Sequence, residues 1–118
     1  MNDSKRTGDS GEEKALEFLM QKGYGFVGKN YHSRYGEIDI IVKDGDNIVF
    51  VEVKTRKSNS IARPSEFVDF RKQKRILTTA EIYLYENPTD LQPRFDVIEV
   101  TYKGNKFEIE HIENAFGG

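Results

Sequence analysis

Apolar residues recur at helical spacing over residues 10–22, where Ala15, Leu16, Phe18, Leu19 and Met20 share one face. Ser10, with Glu13 three residues later, has the spacing of a capping box and predicts the helix start. Residues 1–9 are polar and are expected to be flexible. Glu12 falls near the middle of the apolar face, which aims its carboxylate toward the protein. A first-turn glutamate also complements a helix dipole from solvent. The stretch 23–28 matches G-x-G-x-x-G, but it follows a helix and opens a strand over about 25–31. A dinucleotide fingerprint needs the reverse order, so these glycines read as a helix stop and a turn.

Two strands follow, E-I-D-I-I-V-K over 37–43 and I-V-F-V-E-V-K-T over 48–55, separated by turn residues at 44–47. The hairpin register that this loop sets pairs Ile38 with Val53, Ile40 with Val51 and Val42 with Val49. One face is then wholly aliphatic and core-facing. On the other face Asp39 lies across from Glu52, and Glu37 across from Lys54. Directly opposed side chains start ~5 Å apart, so two carboxylates there repel unless a cation lies between them.

Beyond a polar loop, 65–70 reads as a short helical turn and 71–86 as a longer helix. Ile76, Leu77, Ala80, Tyr83 and Leu84 form its inner face, and Gln73 falls within that stripe. Strands over 94–102 and 107–112 close the chain. The order is α-β-β-β-α-β-β, an α/β (α+β) class, and residues 1–118 read as one domain.

With 118 residues the chain can bury one modest core. Its apolar runs fall short of the ~20 residues a membrane span requires, and its start lacks a signal-peptide pattern, so the cytoplasm is expected. There is no cysteine, which excludes disulfides, thiolate zinc sites and a cysteine nucleophile. Net charge is −2, but it is unevenly spread. From Lys54 to Arg75, eight basic residues face two acidic ones, a net +6; the remaining ten basic and eighteen acidic residues carry −8. Such a run is either a solvated face or a phosphate-binding footprint.

Metal-assisted phosphodiester hydrolysis uses an oxygen-ligated Mg²⁺ held by one or two carboxylates, for which Mn²⁺ is a substitute. Asp39 and Glu52 suit that role, with the Val53 carbonyl as a third donor. Lys54, on the same face, is placed to orient water and stabilise anionic charge. Glu12 and Gln73 approach from the helices, and Glu37 is placed to anchor Lys54. Arg56, Lys72 and Arg75 are the candidate phosphate contacts. The competing arrangement is a cross-strand salt-bridge ladder on an exposed face, with Asp39 and Glu52 simply solvated. Asp96 reads as structural, His111 as an ordinary strand residue, and Tyr24 and Tyr31 as base-stacking or core aromatics.

Asp39 followed by Glu52-Val53-Lys54 resembles the D…(D/E)-x-K signature of the restriction-endonuclease-like superfamily. More narrowly, Gly11-Glu12-x-x-Ala15, Asn30-Tyr31, Gly36-Glu37-Ile38-Asp39, Val51-Glu52-Val53-Lys54, Lys72-Gln73, Arg94-Phe95-Asp96 and Ala115-Phe116 resemble the YraN family of endonuclease-like proteins. The resemblance implies a mixed sheet flanked by helices, similar to archaeal Holliday-junction resolvases. It also implies Mg²⁺ at Asp39 and Glu52 and a catalytic Lys54. Ile38 stands where the superfamily commonly has proline, and Ala62-Arg63-Pro64 where a glycine is expected. The leading expectation is an Mg²⁺-dependent endonuclease acting on DNA, branched DNA included, with a homodimer suggested by analogy to junction resolvases. A nucleic-acid-binding module with little cleavage is the alternative, and a small assembly protein a third reading.

Overall fold

The computed structural model describes residues 3–58 and 69–117, with side chains from Ser10 onward. Its elements run α1 (Asp3–Gln21), β1 (Gly25–His32), β2 (Glu37–Asp44), β3 (Asn47–Lys57), α2 (Phe70–Glu86), β4 (Gln92–Lys103) and β5 (Lys106–Phe116). The strands form one sheet in the order β1-β2-β3-β4-β5. Neighbours are antiparallel except β3 and β4, which run parallel and are joined through α2. The element order and mixed α/β class are those expected from the pattern. No described helix is long and apolar enough to cross a membrane.

The sheet is covered on both faces. Ala15 and Leu19 of α1 pack on Ile40, Val42, Val49, Val51, Ile98 and Val100. On the opposite face, Ile76 and Ala80 of α2 pack on Ile41, Ile48, Phe50, Phe95 and Val97. Alternate residues of β3 and β4 therefore go to different clusters, the mark of a strand buried on both sides. The single aliphatic face expected of the hairpin is thus half the picture.

The hairpin register is as expected near its turn: Ile40 pairs with Val51, Val42 with Val49 and Asp44 with Asn47. The turn is the two residues Gly45-Asp46, and Gly45 takes the left-handed conformation it requires, with φ +57°. Farther from the turn the expectation fails. The ladder ends at Ile40–Val51, and Ile38 packs in the cluster beneath α2 instead of facing Val53. Asp39 is therefore not a ladder partner of Glu52, nor Glu37 of Lys54. In place of a strand partner, the Val53 N–H donates to Asp39 Oδ2 at 2.8 Å. β3 follows β4 as far as Lys57–Tyr102 while β2 parts from it, which opens the sheet at the carboxylates.

The N-terminal helix starts at Asp3, so Ser10 lies within it and does not cap it. Its hydroxyl instead accepts from the Tyr102 hydroxyl at 3.1 Å. The expected turn over 65–70 falls mostly outside the described residues, and Phe70 belongs to α2. Asp69 is the cap of that helix, its carboxylate accepting from the Lys72 N–H at 2.9 Å.

Far from the hairpin opening, Asp96 is fully buried and has the structural role expected of it. It accepts from Arg94 through both oxygens, at 2.9 and 3.0 Å, and from the Asn114 N–H at 3.0 Å. His111 is not an ordinary strand residue. Its Nδ1 lies 2.9 Å from Lys22 Nζ and its Nε2 2.8 Å from Asp96 Oδ2. An ammonium only donates, so Nδ1 accepts, and Nε2–H donates to Asp96. Arg94 also donates to Asp44 and to the buried Tyr24, which in turn donates to Glu113. Tyr24 is thus a core anchor between α1 and the sheet, and Tyr31 packs edge-on against Tyr83.

At Gly11, α1 lies close against Thr55 of β3. A Cβ added there would collide with Thr55 Oγ1, whereas Thr55 Cβ would stand 3.4 Å away. Gly11→Ala should therefore give up its helix-propensity gain of about 1 kcal/mol and destabilise the protein. In a Thr55→Ala background the same change should instead stabilise by about 1 kcal/mol. Urea unfolding of the four proteins in the cycle checks the change of sign. An equal effect in both backgrounds would show that the contact does not limit the approach.

Candidate functional site

The splayed end of β2 and β3 gathers charge from four elements. Asp39 comes from β2, Glu52 from β3, and Lys72 and Arg75 from α2; with Gly36, Glu37 and Ile76 they line an open cleft of about 300 Å³. Glu12 comes from α1 and lines a second hollow of about 290 Å³ with Lys29, Asn30 and Ile40. Burial raises the Asp39 pKa from 3.8 to about 8, and the Glu52 charge adds to it. The Val53 N–H acts against that rise, while Glu12 and Glu37 reinforce it. Asp39 is thus a carboxylate in a place where carboxylates repel one another, the environment found at many functional sites.

Glu52 is 5% exposed and makes an ion pair of 2.6 Å with Lys72 Nζ. Burial pulls the Lys72 ammonium down, but its contact with Glu52 and the Asp39 charge outweigh this and raise its pKa. Lys54 lies beside Lys72. Only the Glu52 end of this pair is buried, and its desolvation opposes the attraction to Lys72, so the pair is weak evidence for a purely stabilising role.

Asn30 is a member of the site that the residue pattern did not reveal. It lies between the Lys29–Ile40 and Tyr31–Ile38 pairs, across from Asp39, with φ +53°. Oriented with its nitrogen toward the acids, its amide donates to Glu12 Oε1 at 3.0 Å and to Glu37 Oε1 at 3.2 Å. One amide therefore ties α1 to β2 around Asp39. The cues in sequence were the Asn30-Tyr31 block of the family resemblance and an asparagine inside a strand, a residue type that tolerates the left-handed conformation.

The other candidates divide. Glu12, Glu37 and Glu52 are gathered about Asp39, and Lys54 lies beside Lys72, though not through the cross-strand pairs expected of the hairpin. Lys72 is a partner of Glu52 and not a peripheral cation. Arg75 is exposed at the cleft. Arg56 pairs at 3.4 Å with the buried Glu99 of β4, which stands beside Lys54 of β3. Gln73 is half-buried on α2, next to the cleft-lining Lys72. Val53 meets Asp39 through its N–H. Arg63, with the 62–64 loop, lies outside the described residues. Among the described residues no three His, Cys, Asp or Glu side chains form a ready metal cluster.

Residues 11–100 match the Uncharacterised protein family UPF0102. A UPF0102 protein of Alkaliphilus oremlandii is 47% identical over 116 residues, covering 96% of this chain and 99% of the relative. One from Caldanaerobacter subterraneus subsp. tengcongensis is 46% identical, covering 95% of each. One from Clostridioides difficile is 45% identical, covering 96% and 98%. The likeness thus spans the whole site, from Glu12 to Lys72.

The raised pKa of Asp39 gives a signed prediction. Folding favours its protonated form, so its contribution is fully present below about pH 4 and is lost as pH rises toward 8. Asp39→Asn removes that loss. Its melting temperature should exceed the parent's by a margin that widens from pH 4 to pH 8 and then levels. A margin independent of pH in thermal melts would contradict the raised pKa.

Proposed function

Since the chain belongs to the uncharacterised family UPF0102, whose name states no activity, we propose its function from the site: a metal-dependent endonuclease acting on DNA. The observation that carries this reading is the pairing of a half-buried Asp39, its pKa near 8, with Glu52 at an opening in the sheet. Two lysines stand beside them. Simple surface charge would not be arranged this way, because a salt-bridge ladder opposes unlike charges along an exposed face. The placement of Asp39 and of Glu52-Val53-Lys54 agrees with the D…(D/E)-x-K resemblance.

The donor set fits a hard divalent cation. Mg²⁺ needs one or two carboxylates and keeps much of its water, so Asp39 and Glu52 suffice without a third acid. The Val53 carbonyl is a further donor in the same segment. Bound there, Mg²⁺ would neutralise phosphoryl charge and make water a better nucleophile.

The remaining work falls to this chain's own groups. The Val53 N–H fixes one oxygen of Asp39, a residue that lines the cleft. Lys72 holds Glu52 in one position. Lys54 would direct a water toward phosphorus and bear against the developing negative charge. Asn30 holds Glu12 and Glu37 near Asp39, so neither swings into the space a phosphate would take. Arg75, exposed at the rim, would meet the entering phosphate.

The Lys72–Glu52 pair also favours a second reading, a DNA-binding module that cleaves little. Here a lysine already supplies the charge a metal would bring.

Purified protein with Mg²⁺ and supercoiled plasmid separates the two. Nicking should appear with metal, vanish with chelator, and fall about a hundredfold or more in Asp39→Ala and in Lys54→Ala. Binding without nicking in the parent protein would select the module. Nicking unchanged in Lys54→Ala would overturn the mechanism.

A further inference from the structure

The cation at the carboxylates of the cleft is a side chain. Lys72 Nζ stands 2.6 Å from Glu52 Oε1, and the Asp39 charge also bears on it. These are the two carboxylates assigned above to a divalent ion. Lys72 lines the same cleft as both of them. One ammonium therefore answers the charge of both prospective ligands.

The two ends of the pair are held very differently. Glu52 is 5% exposed and sits on β3 beside Val97 of β4, so its carboxylate stays where the sheet puts it. The Lys72 side chain is 41% exposed and grows from the first turn of α2. That turn is fixed by other bonds. The Lys72 N–H donates to the Asp69 carboxylate at 2.9 Å, and the Gln73 N–H to the Asp69 carbonyl at 3.0 Å. The flexible four-carbon stem can carry the ammonium off Glu52 with the helix unmoved.

An ion and this ammonium are competitors. Both seek the lone pairs of the same carboxylate, and two like charges brought together there repel. Lys54 beside Lys72 adds to that repulsion. Lys72 also has another place to go. Arg75, three residues along the helix, is exposed and lines the same cleft of about 300 Å³. Residues at this spacing lie on one side of a helix, so a phosphate that meets Arg75 comes within reach of a freed Lys72. An ammonium with three rotatable donors meets a phosphate from many directions.

We propose that Lys72 keeps the place of the metal ion in the metal-free protein, and that the arriving ion displaces it onto the substrate phosphate. Metal and DNA then bind cooperatively, because the ion frees the lysine that the phosphate takes up. The proposal rests on the metal site of the nuclease reading and adds how that site is held without its ion.

The first test is Mn²⁺ binding to the purified full chain without DNA, read by electron paramagnetic resonance of the free ion. Lys72→Met keeps the stem and removes the charge, and it should bind Mn²⁺ about tenfold tighter than the parent. Lys72→Gln should do the same, which guards against a folding defect in either variant. Arg71→Met removes an exposed charge from the same turn and should shift the affinity by about twofold at most. The second test is fluorescence anisotropy with a labelled DNA duplex. In EDTA, Lys72→Met should cost little affinity; with Ca²⁺ as the ion it should cost about tenfold. Mn²⁺ binding that is equal or weaker in both Lys72 variants would overturn the exchange and leave the metal site standing. An equal loss of DNA affinity in EDTA and in Ca²⁺ would overturn the transfer to phosphate. Absence of Mn²⁺ binding in parent and variants alike would overturn the exchange and the metal-dependent reading together. Failure of the parent to bind DNA in either solution would remove the nuclease reading, and the phosphate step with it.

Discussion

The hydrogen bond from the Val53 N–H to Asp39 is the hinge of this architecture. A strand N–H that loses its ladder partner must find another acceptor or pay a desolvation penalty. Here the acceptor is a side chain of the departing strand. That substitution lets β2 leave β3 after Ile40 while β3 continues along β4 to Lys57. The opening it creates is the cleft itself. The same bond also holds Asp39 in the vicinity of Glu52, Glu12 and Glu37, where it raises the local charge repulsion that any bound cation would relieve.

Asp96 shows that the device need not be unfavourable. It too caps a neighbouring strand's N–H at a break in the ladder, that of Asn114 on β5, where the register shifts. Its pKa is lowered: burial pushes it up, but bonds from His111, Arg94 and Asn114 more than compensate. Asp39 has one such bond and three acidic neighbours, and its pKa goes the other way. Two aspartates with the same local geometry therefore divide by their surroundings. One is supplied with cationic and N–H donors, as a structural carboxylate should be. The other is left short of them, and that deficit has no structural benefit to offset it.

How far the sequence could reveal this follows from the range of each signal. Hairpin register is local, so Ile40–Val51 and Val42–Val49 were readable from a short turn. The departure at Asp39 was not, because β3's second partner lies some forty residues later and periodicity carries no record of it. Alternation also hid the second core face, since a strand buried on both sides loses its polar rows. The acidic and lysine members of the site could be named from residue type and spacing. The partner choices of Lys72 and Arg56 could not, as both are long side chains whose targets depend on how α2 and β4 pack. Ser10 misled because a capping box needs only local spacing, and the helix continues past it to Asp3.

The site is also not separable from the fold that carries it. Glu12 acts on Asp39 because α1 approaches β3 closely enough at Gly11 to exclude a Cβ. Lys72 reaches Glu52 from a helix that Thr79 and Gly36 bind to the β1–β2 turn. Both helical layers must be docked before the carboxylates meet, so the repulsion among them is felt only in the native state. It then acts against folding, and a cation that binds only the assembled cluster adds its binding free energy to stability. A chain this short has a small margin to spare. Retaining an unbalanced Asp39 within that margin is intelligible under the proposed function, in which a bound cation supplies the missing positive charge.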